Sequence, residues 1–477
     1  VPQPTNILLL CTDQQRFSAL GAAGNPEIQT PNLDRLAAQG ALFENCYVQS
    51  PVCAPSRASL MTGRYLHNHG LWANGVALRE TEQVVAEPLT AAGYDCGLVG
   101  KYHLAACADG RTEQPPPGMR VFRWAHDPYP RSSENAYHRY LQVAHPEIYG
   151  QLSNGTADFD WDSVPTQAHY SRWIGDETRR YLTSGRADNQ PFFFIANFFD
   201  PHHGFGAPAE YLARYHPDSL SVPIGSAAEL ETKPDIYTEA SKESYAGHAR
   251  GFTDYTAAEL QQVKAAYYAM VSLVDDEVGG ILATLEAEGL ADDTLVIFTS
   301  DHGEMLGDHQ LMLKGPMMYD CAVRVPLILR WPGRIQAGRR VDDLVQWIDL
   351  TSTFLDLAGA DLPGAQGQSL LPLATGSGPA VRDWALCEYR NSGHPYDPPV
   401  HTTMLRRGAS KIVVHHGAPS SSRARQGELY DLAADPDELV NHWDDPAYAG
   451  ERQQMTELLL DVLVATEDRS QPRHAVW

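Results

Sequence analysis

A chain of 477 residues with 43% hydrophobic and 20% charged content can bury a sizeable core, which excludes a disordered tail, a collagen-like repeat and a disulfide miniprotein. Its 36 basic and 60 acidic residues leave a formal net charge of −24, the wrong sign for a protein drawn to nucleic acid or an anionic membrane by its overall field. No run approaches the roughly 18 apolar residues that cross a bilayer, and residues 1–5 have neither the basic nor the apolar region of a signal peptide, so a soluble chain is expected and its compartment is left open.

The first apolar run of strand length is 7–11. Thr30 followed by Pro31 reads as an N-cap and first helical residue, with Leu33, Leu36 and Ala37 on one face and Gly40 as the stop. Further strand-length runs come at 96–99, 192–195, 295–299 and 326–329. The triplet Asn154-Gly155-Thr156 fits a glycosylation site, a pattern common by chance. Thr256 with Glu259 forms a capping box, followed by Leu260, Val263, Tyr267, Met270, Val274, Val278, Ile281, Leu282 and Leu285 at helical spacing, which predicts a long core helix. Strands alternating with helices predict an α/β fold with a mainly parallel sheet covered on both faces. Residues 358–380 are rich in Gly, Pro, Ser and Ala, and a boundary near Pro379 divides the chain into 1–379 and a smaller α+β unit over 380–477. In that unit 411–415 and 428–432 read as strands, and Met455, Leu458, Leu459, Val462 and Leu463 mark a terminal helix.

The seven cysteines are odd in number and lack paired metal spacing, so no disulfide framework is expected and one of them can be special. Cys53 opens Cys53-Ala54-Pro55-Ser56-Arg57-Ala58-Ser59-Leu60-Met61-Thr62-Gly63-Arg64. The segment resembles the type I sulfatase signature, C-x-P-S-R followed by x-x-L-x-T-G-R, at every defining position. The resemblance implies an alkaline-phosphatase-like fold, a large mixed sheet sandwiched by helices, and a cysteine oxidised by a formylglycine-generating enzyme before folding is complete. The hydrated aldehyde then attacks sulfur, and its second hydroxyl lets the aldehyde re-form and expel sulfate. Pro55 at the first helical position would set this nucleophile beside a helix N-terminus, which favours an anion.

Other motifs follow in the order of that family. Thr12-Asp13-Gln14 comes after the first strand, and Thr299-Ser300-Asp301-His302-Gly303-Glu304 ends another, at the carboxyl edge where α/β sheets bind ligands. By the resemblance, Asp13, Gln14, Asp301, His302 and modified Cys53 hold one divalent ion. The hard oxygen donors suit calcium, and His302 admits manganese. Gly100-Lys101-Tyr102-His103-Leu104 is similar to the family's G-K-W-H-L, which gives Arg57 the diol or the sulfate, Lys101 the sulfate oxygens and His103 the diol. Asp200-Pro201-His202-His203-Gly204 makes His202 the general acid and His203 a neighbour. Lys314 matches the family's second lysine, on sulfate and the bridging oxygen; Asn74 donates to sulfate, while Asp308 and His309 are expected to be structural. Glu428-Leu429-Tyr430-Asp431-Leu432 also resembles the family's C-terminal region.

The reading is therefore a sulfuric ester hydrolase, arylsulfatase-like, acting on a small-molecule or glycan sulfate ester. Phosphonate monoester or phosphodiester hydrolysis on the same site is the alternative, and an inactive glycan-binding relative is a further one. Residues 389–401, with Arg390, His394, Tyr396 and three prolines, read as a loop bordering the pocket.

Overall fold

The computed structural model describes residues 5–107, 111–128, 133–154, 161–380, 382–417 and 426–468. Gly155 and Thr156 of the glycosylation triplet lie outside them. The strands are β1 (Asn6–Thr12), β2 (Ala41–Tyr47), β3 (Asp95–Gly100), β4 (Met119–Trp124), β5 (Phe192–Asn197), β6 (Glu243–Ser244), β7 (Ala249–Arg250), β8 (Thr294–Ser300), β9 (Arg324–Val325), β10 (Leu327–Arg330), β11 (Arg339–Gln346), β12 (Trp384–Arg390), β13 (His401–Arg407), β14 (Ser410–His416) and β15 (Gln426–Asp431). Nine of them form one sheet in the order β11-β2-β10-β8-β1-β5-β3-β4, with β9 on β2. Neighbours are parallel from β8 through β1, β5 and β3 to β4, whereas β10 runs antiparallel to both β8 and β2. The sheet is thus mixed but mainly parallel.

The central strands β1, β5 and β8 are buried along their whole length, which is why they read as unbroken apolar runs. Their side chains alternate between two cores. Ile7, Leu9, Phe193, Ile195, Leu295 and Ile297 pack on one side with Ala58, Leu60 and Phe354 from helices Cys53–Thr62 and Asp349–Ala358. Leu8, Leu10, Phe194, Val296 and Phe298 pack on the other with Leu33, Ile174, Val278 and Ile281 from helices Pro31–Ala38, Tyr170–Arg180 and Ala257–Ala287. The last of these starts at Thr256 with the expected capping box to Glu259.

A second, antiparallel sheet runs β12-β13-β14-β15, with helix Ala449–Ala465 packed on it through Met455, Leu459 and Val462. Strands β12 and β13 correct the reading of 389–401 as one loop: Tyr389 is a buried strand residue, Arg390 ends β12, His401 begins β13, and only 391–400 connect them. No helix of the described residues is long and apolar enough to cross a membrane.

Candidate active site

Strands β8, β1, β5 and β3 are parallel neighbours, so their carboxyl ends fall along one edge of the sheet. Each delivers part of the site: Asp13 and Gln14 after β1, Lys101 after β3, His202 shortly after β5, and Asp301 and His302 after β8. Backbone bonds lock the ends together, from Asp301 N–H to Thr12 O (3.2 Å) and from Asp13 N–H to Asp200 O (3.4 Å). Strand β2 shares this direction, because β10 is antiparallel to both it and β8, and the helix after it brings in Cys53. The N-cap is Val52 and Cys53 is itself the first helical residue, so Pro55 lies two positions further in than the sequence reading placed it. Its missing N–H is still one of those with no intrahelical acceptor.

Cys53, Asp13, Asp301 and His302 present ligand atoms that all lie within 4.8 Å of one another, and all four residues are buried. Cys53 Sγ is 3.1 Å from His302 Nε2 and 3.8 Å from Asp13 Oδ1, and His302 Nε2 is 3.7 Å from Oδ1 of both aspartates. The carboxylates divide their oxygens. Both Oδ2 atoms face cations: Asp301 takes Arg57 Nε at 2.8 Å, and Asp13 takes Lys101 Nζ at 2.6 Å and Arg57 Nη2 at 3.3 Å. Both Oδ1 atoms face the cluster. His302 Nδ1 lies 2.9 Å from Gly303 O, so that nitrogen donates and the Nε2 lone pair is turned toward the cluster, as in a metal-ligating imidazole. Two hard oxygens, one imidazole nitrogen and the Cys53 position make a donor set that fits a divalent ion.

The electrostatics agree. Burial pushes the Asp13 carboxyl up, but Lys101 and Arg57 outweigh it and hold the group far below the usual carboxylate range. Burial and Asp13 raise the Cys53 thiol, yet Lys101, Lys314 and His302 bring it below its ordinary value. Position 53 therefore favours negative charge even though it is inside the protein.

Gln14, given to the ion by the resemblance, is bonded on several sides. Its backbone N–H donates to Asp301 Oδ1 at 3.0 Å, its side-chain NH2 donates to Glu304, and its Oε1 accepts from Lys314 Nζ. Glu304 is fixed in turn by Leu306 and Leu313 N–H at 2.8 and 2.6 Å. A carboxylate only accepts, so Glu304 orients the Gln14 amide with its oxygen toward Lys314 and the site. Glu304 stands in the quoted strand-end motif, but nothing in spacing marks it as the group that sets an amide fourteen residues from the chain start.

Lys314 Nζ also donates to His202 Nε2 at 3.0 Å, and His202 Nδ1 donates to His203 O. Burial, then His203 and Lys314, hold His202 neutral. His203 Nδ1 lies 3.3 Å from Gln14 Oε1, so both adjacent histidines face the site. His103 makes no hydrogen bond to the cluster; its ring packs 4.5 Å from that of His126, and its buried Nδ1 has no partner among the described residues. The side-chain oxygen of Asn74 accepts from Ala54 N–H at 3.1 Å, which ties its loop to the first turn of the helix that carries Cys53. Asp308 pairs with Arg16 at 2.6 Å, and His309 stacks on Tyr319 and bonds Glu229 at 2.9 Å, as structural residues do.

A second grouping, Cys107, Glu113 and His126, has metal-like spacing. Glu113 already accepts from the N–H groups of His103, Leu104 and Ala105 and from Trp124 Nε1. That saturation makes it an anchor for the loop carrying Lys101 and His103. No local pattern marks it, since the acceptor lies ten residues from its first donor in an irregular stretch.

Comparison with known proteins matches residues 5–360 to the family model described as "Sulfatase" and residues 307–465 to the one described as "N-sulphoglucosamine sulphohydrolase, C-terminal". The chain is 30% identical to the uncharacterized sulfatase YidJ of Escherichia coli strain K12, over 97% of this chain and 88% of that protein. It is 27% identical to an N-acetylglucosamine-6-O-sulfatase of Bacteroides thetaiotaomicron, over 95% and 85%. Among solved structures, the phosphonate monoester hydrolase of Agrobacterium radiobacter superposes with a TM-score of 0.82 at 28% identity, over 98% of this chain and 97% of that one.

Proposed function

The chain belongs to the sulfatase family of the alkaline phosphatase superfamily, and from that premise we propose that it hydrolyses sulfate monoesters with Cys53, converted to formylglycine by a maturation enzyme, as the nucleophile. The observation that carries this reading is the setting of Cys53: at the first turn of a helix, buried, and facing both an acidic pair and the cations Lys101 and Lys314. Asp13, Asp301, His302 and an oxygen at position 53, with Gln14 beside them, would hold a divalent ion, calcium by preference and manganese as the substitute, which supplies Lewis-acid charge when bound.

The chain's own groups do the rest. Arg57, Lys101 and Lys314 are each no more than 3% exposed, so they act on a sulfate with little screening. A unit charge at about 4 Å is worth about 4 kcal/mol at an effective dielectric of 20, which outweighs the acidic exterior beyond a Debye length of about 8 Å. Lys101 and Arg57 hold Asp13 and Asp301 in place and add positive charge at the sulfate oxygens. Lys314 and His202 stand 3.0 Å apart on the side where the alcohol leaves, and we assign Lys314 to the bridging oxygen and His202 to protonation of the alkoxide. His103 and Asn74 complete the set we assign to the sulfate. We take residues 1–379 as the catalytic unit and 380–477 as the module that closes one side of it.

His202→Ala is expected to cut turnover of alkyl sulfates by about 10²-fold or more and that of activated aryl sulfates by less than about tenfold, because only a poor leaving group needs the proton. Rates for a series of esters graded by leaving-group acidity provide the check, and equal losses across the series would remove His202 from the acid role.

The likeness to a phosphonate monoester hydrolase supports a second reading, hydrolysis of phosphonate monoesters or phosphodiesters on the same groups. Each of these esters carries one negative charge, as a sulfate monoester does, so charge alone does not separate them. A phosphonate keeps a second organic substituent that needs a pocket, whereas sulfate needs donors to three terminal oxygens, and Lys101, Lys314, His103 and Asn74 are such donors. The expected result is a higher kcat/KM for an aryl sulfate than for the matching aryl phosphonate on one metal-loaded preparation. A clear preference for the phosphonate would move the protein to the second reading.

A further inference from the structure

We propose that the open side of the site is a ring-binding subsite, built from Tyr245, His248 and His394, that holds the departing alcohol as an uncharged aryl or pyranosyl ring. The inference rests on the hydrolase reading above and names the residues that would select the alcohol half of its substrate.

Exposure gives the direction. Asp13, Asp301 and His302 are 0% exposed, so a substrate cannot extend past them. His202, His203 and Tyr245 are half-buried, and His248 and His394 are exposed. An ester whose bridging oxygen meets Lys314 and His202 must therefore lay its alcohol along this last group.

The rings form a continuous wall. His202 and His203 stack at 3.9 Å between centroids, His203 and Tyr245 lie 5.4 Å apart, Tyr245 and His394 5.7 Å, and His394 and His248 stack at 4.1 Å with planes 18° apart. Lys314 Nζ sits 5.7 Å from the Tyr245 ring centre, so the wall begins at the cation that meets the bridging oxygen. Beyond His202 and His203, two unconnected segments supply it, the turn between β6 and β7 and the 391–400 connection. Both are pre-formed. The first is closed by the pairing of Glu243 with Arg250 and Ser244 with Ala249. The second is closed by Asn391, whose side chain bonds Tyr396 N–H, Tyr396 O and Val400 N–H at 3.0 to 3.3 Å, and by Ser392, which donates to Trp72 O. The exposed Trp72 side chain stands on the segment so joined.

The chemistry of the wall selects its ligand. Flat rings held at these spacings offer faces for stacking and imidazole edges for single hydrogen bonds. Burial and His248 lower the His394 pKa and so favour its uncharged imidazole. Among the described residues no carboxylate pairs with His202, His203, His248 or His394, so a cationic alcohol would find no counter-charge on the wall, where Lys314 already faces the Tyr245 ring. A ring with a hydroxyl fits this surface, and an acyclic alcohol has no face to lay on it.

The test compares kcat/KM of the metal-loaded enzyme for phenyl sulfate, a pyranoside 6-sulfate and an acyclic primary alkyl sulfate, by released sulfate, in the wild type and in His394→Ala, His248→Ala and Tyr245→Leu. The ring-to-acyclic ratio is expected to fall about tenfold in each variant, the loss of one stacked contact, chiefly through KM. The ring ester whose ratio falls further identifies the ring as aryl or pyranosyl. An unchanged ratio in all three variants, with wild-type turnover intact, overturns the subsite and leaves the hydrolase reading standing. If the wild type turns over no sulfate ester, the hydrolase reading fails, and calorimetric binding of phenol and of the free pyranoside still decides the subsite: weaker binding in the variants supports it and equal binding overturns it.

Discussion

Cys53→Ala is expected to leave a folded, metal-binding protein with turnover reduced by at least about 10⁴-fold, the scale seen when the nucleophile of a covalent mechanism is removed. The side chain is 2% exposed and packed in the first turn of its helix, so loss of one sulfur atom leaves a small gap and the fold intact. Cys53→Ser tests the chemistry more finely. It keeps a hydroxyl among Asp13, His302 and Lys101, and with one hydroxyl in place of two it can accept sulfate but has no second proton to lose to release it. Slow or single-turnover transfer that stalls as a stable ester is therefore the expected outcome, read by mass spectrometry of the peptide containing residue 53. The same peptide from wild-type protein should carry the aldehyde or its hydrate. Full activity with an unmodified thiol would sink the mechanism.

The second large effect is at Asp301. Its Oδ1 faces Cys53 and His302 and also takes the Gln14 N–H, while its Oδ2 takes Arg57. Asp301→Asn should lower bound divalent ion from one per chain to near zero and cut turnover about 10³-fold or more, with elemental analysis and rates measured on the same samples. Asparagine is the better probe than alanine. Alanine would leave the 3%-exposed Arg57 guanidinium short of a partner, and an uncompensated buried charge costs about 3–5 kcal/mol, so metal loss and unfolding would be confounded. A metal-stripped preparation with undiminished activity would refute the role of the ion.

The central strands β1, β5 and β8 were legible because they are covered on both faces and so are apolar throughout. The edge strands were not. Strand β11, with Arg339, Arg340, Asp342 and Asp343, and β4, with Arg120 and Arg123, face solvent at the two ends of the sheet, and such charges are how an edge avoids pairing with another chain. Strands β12 and β13 escaped because buried polar residues, Glu388, Thr402 and Thr403, interrupt their apolar runs. In the site, Asp13, Asp301 and His302 could be found because each follows an apolar strand, and Cys53 because its motif is long. What Glu304, Glu113 and Tyr245 do depends on which loops meet over the sheet edge, and no local pattern records that.

The order of the strands also sets a clock. Strand β1 sits between β5 and β8, so it has neither sheet neighbour until residues 192–197 and 294–300 have been made. Cys53 is synthesised about 260 residues before Lys314, and at about 5–20 residues per second that interval lasts roughly 15–50 s. Throughout it the segment around Cys53 lacks Asp301, His302 and Lys314, and the modifying enzyme proposed above would have a window whose length is fixed by topology and translation rate.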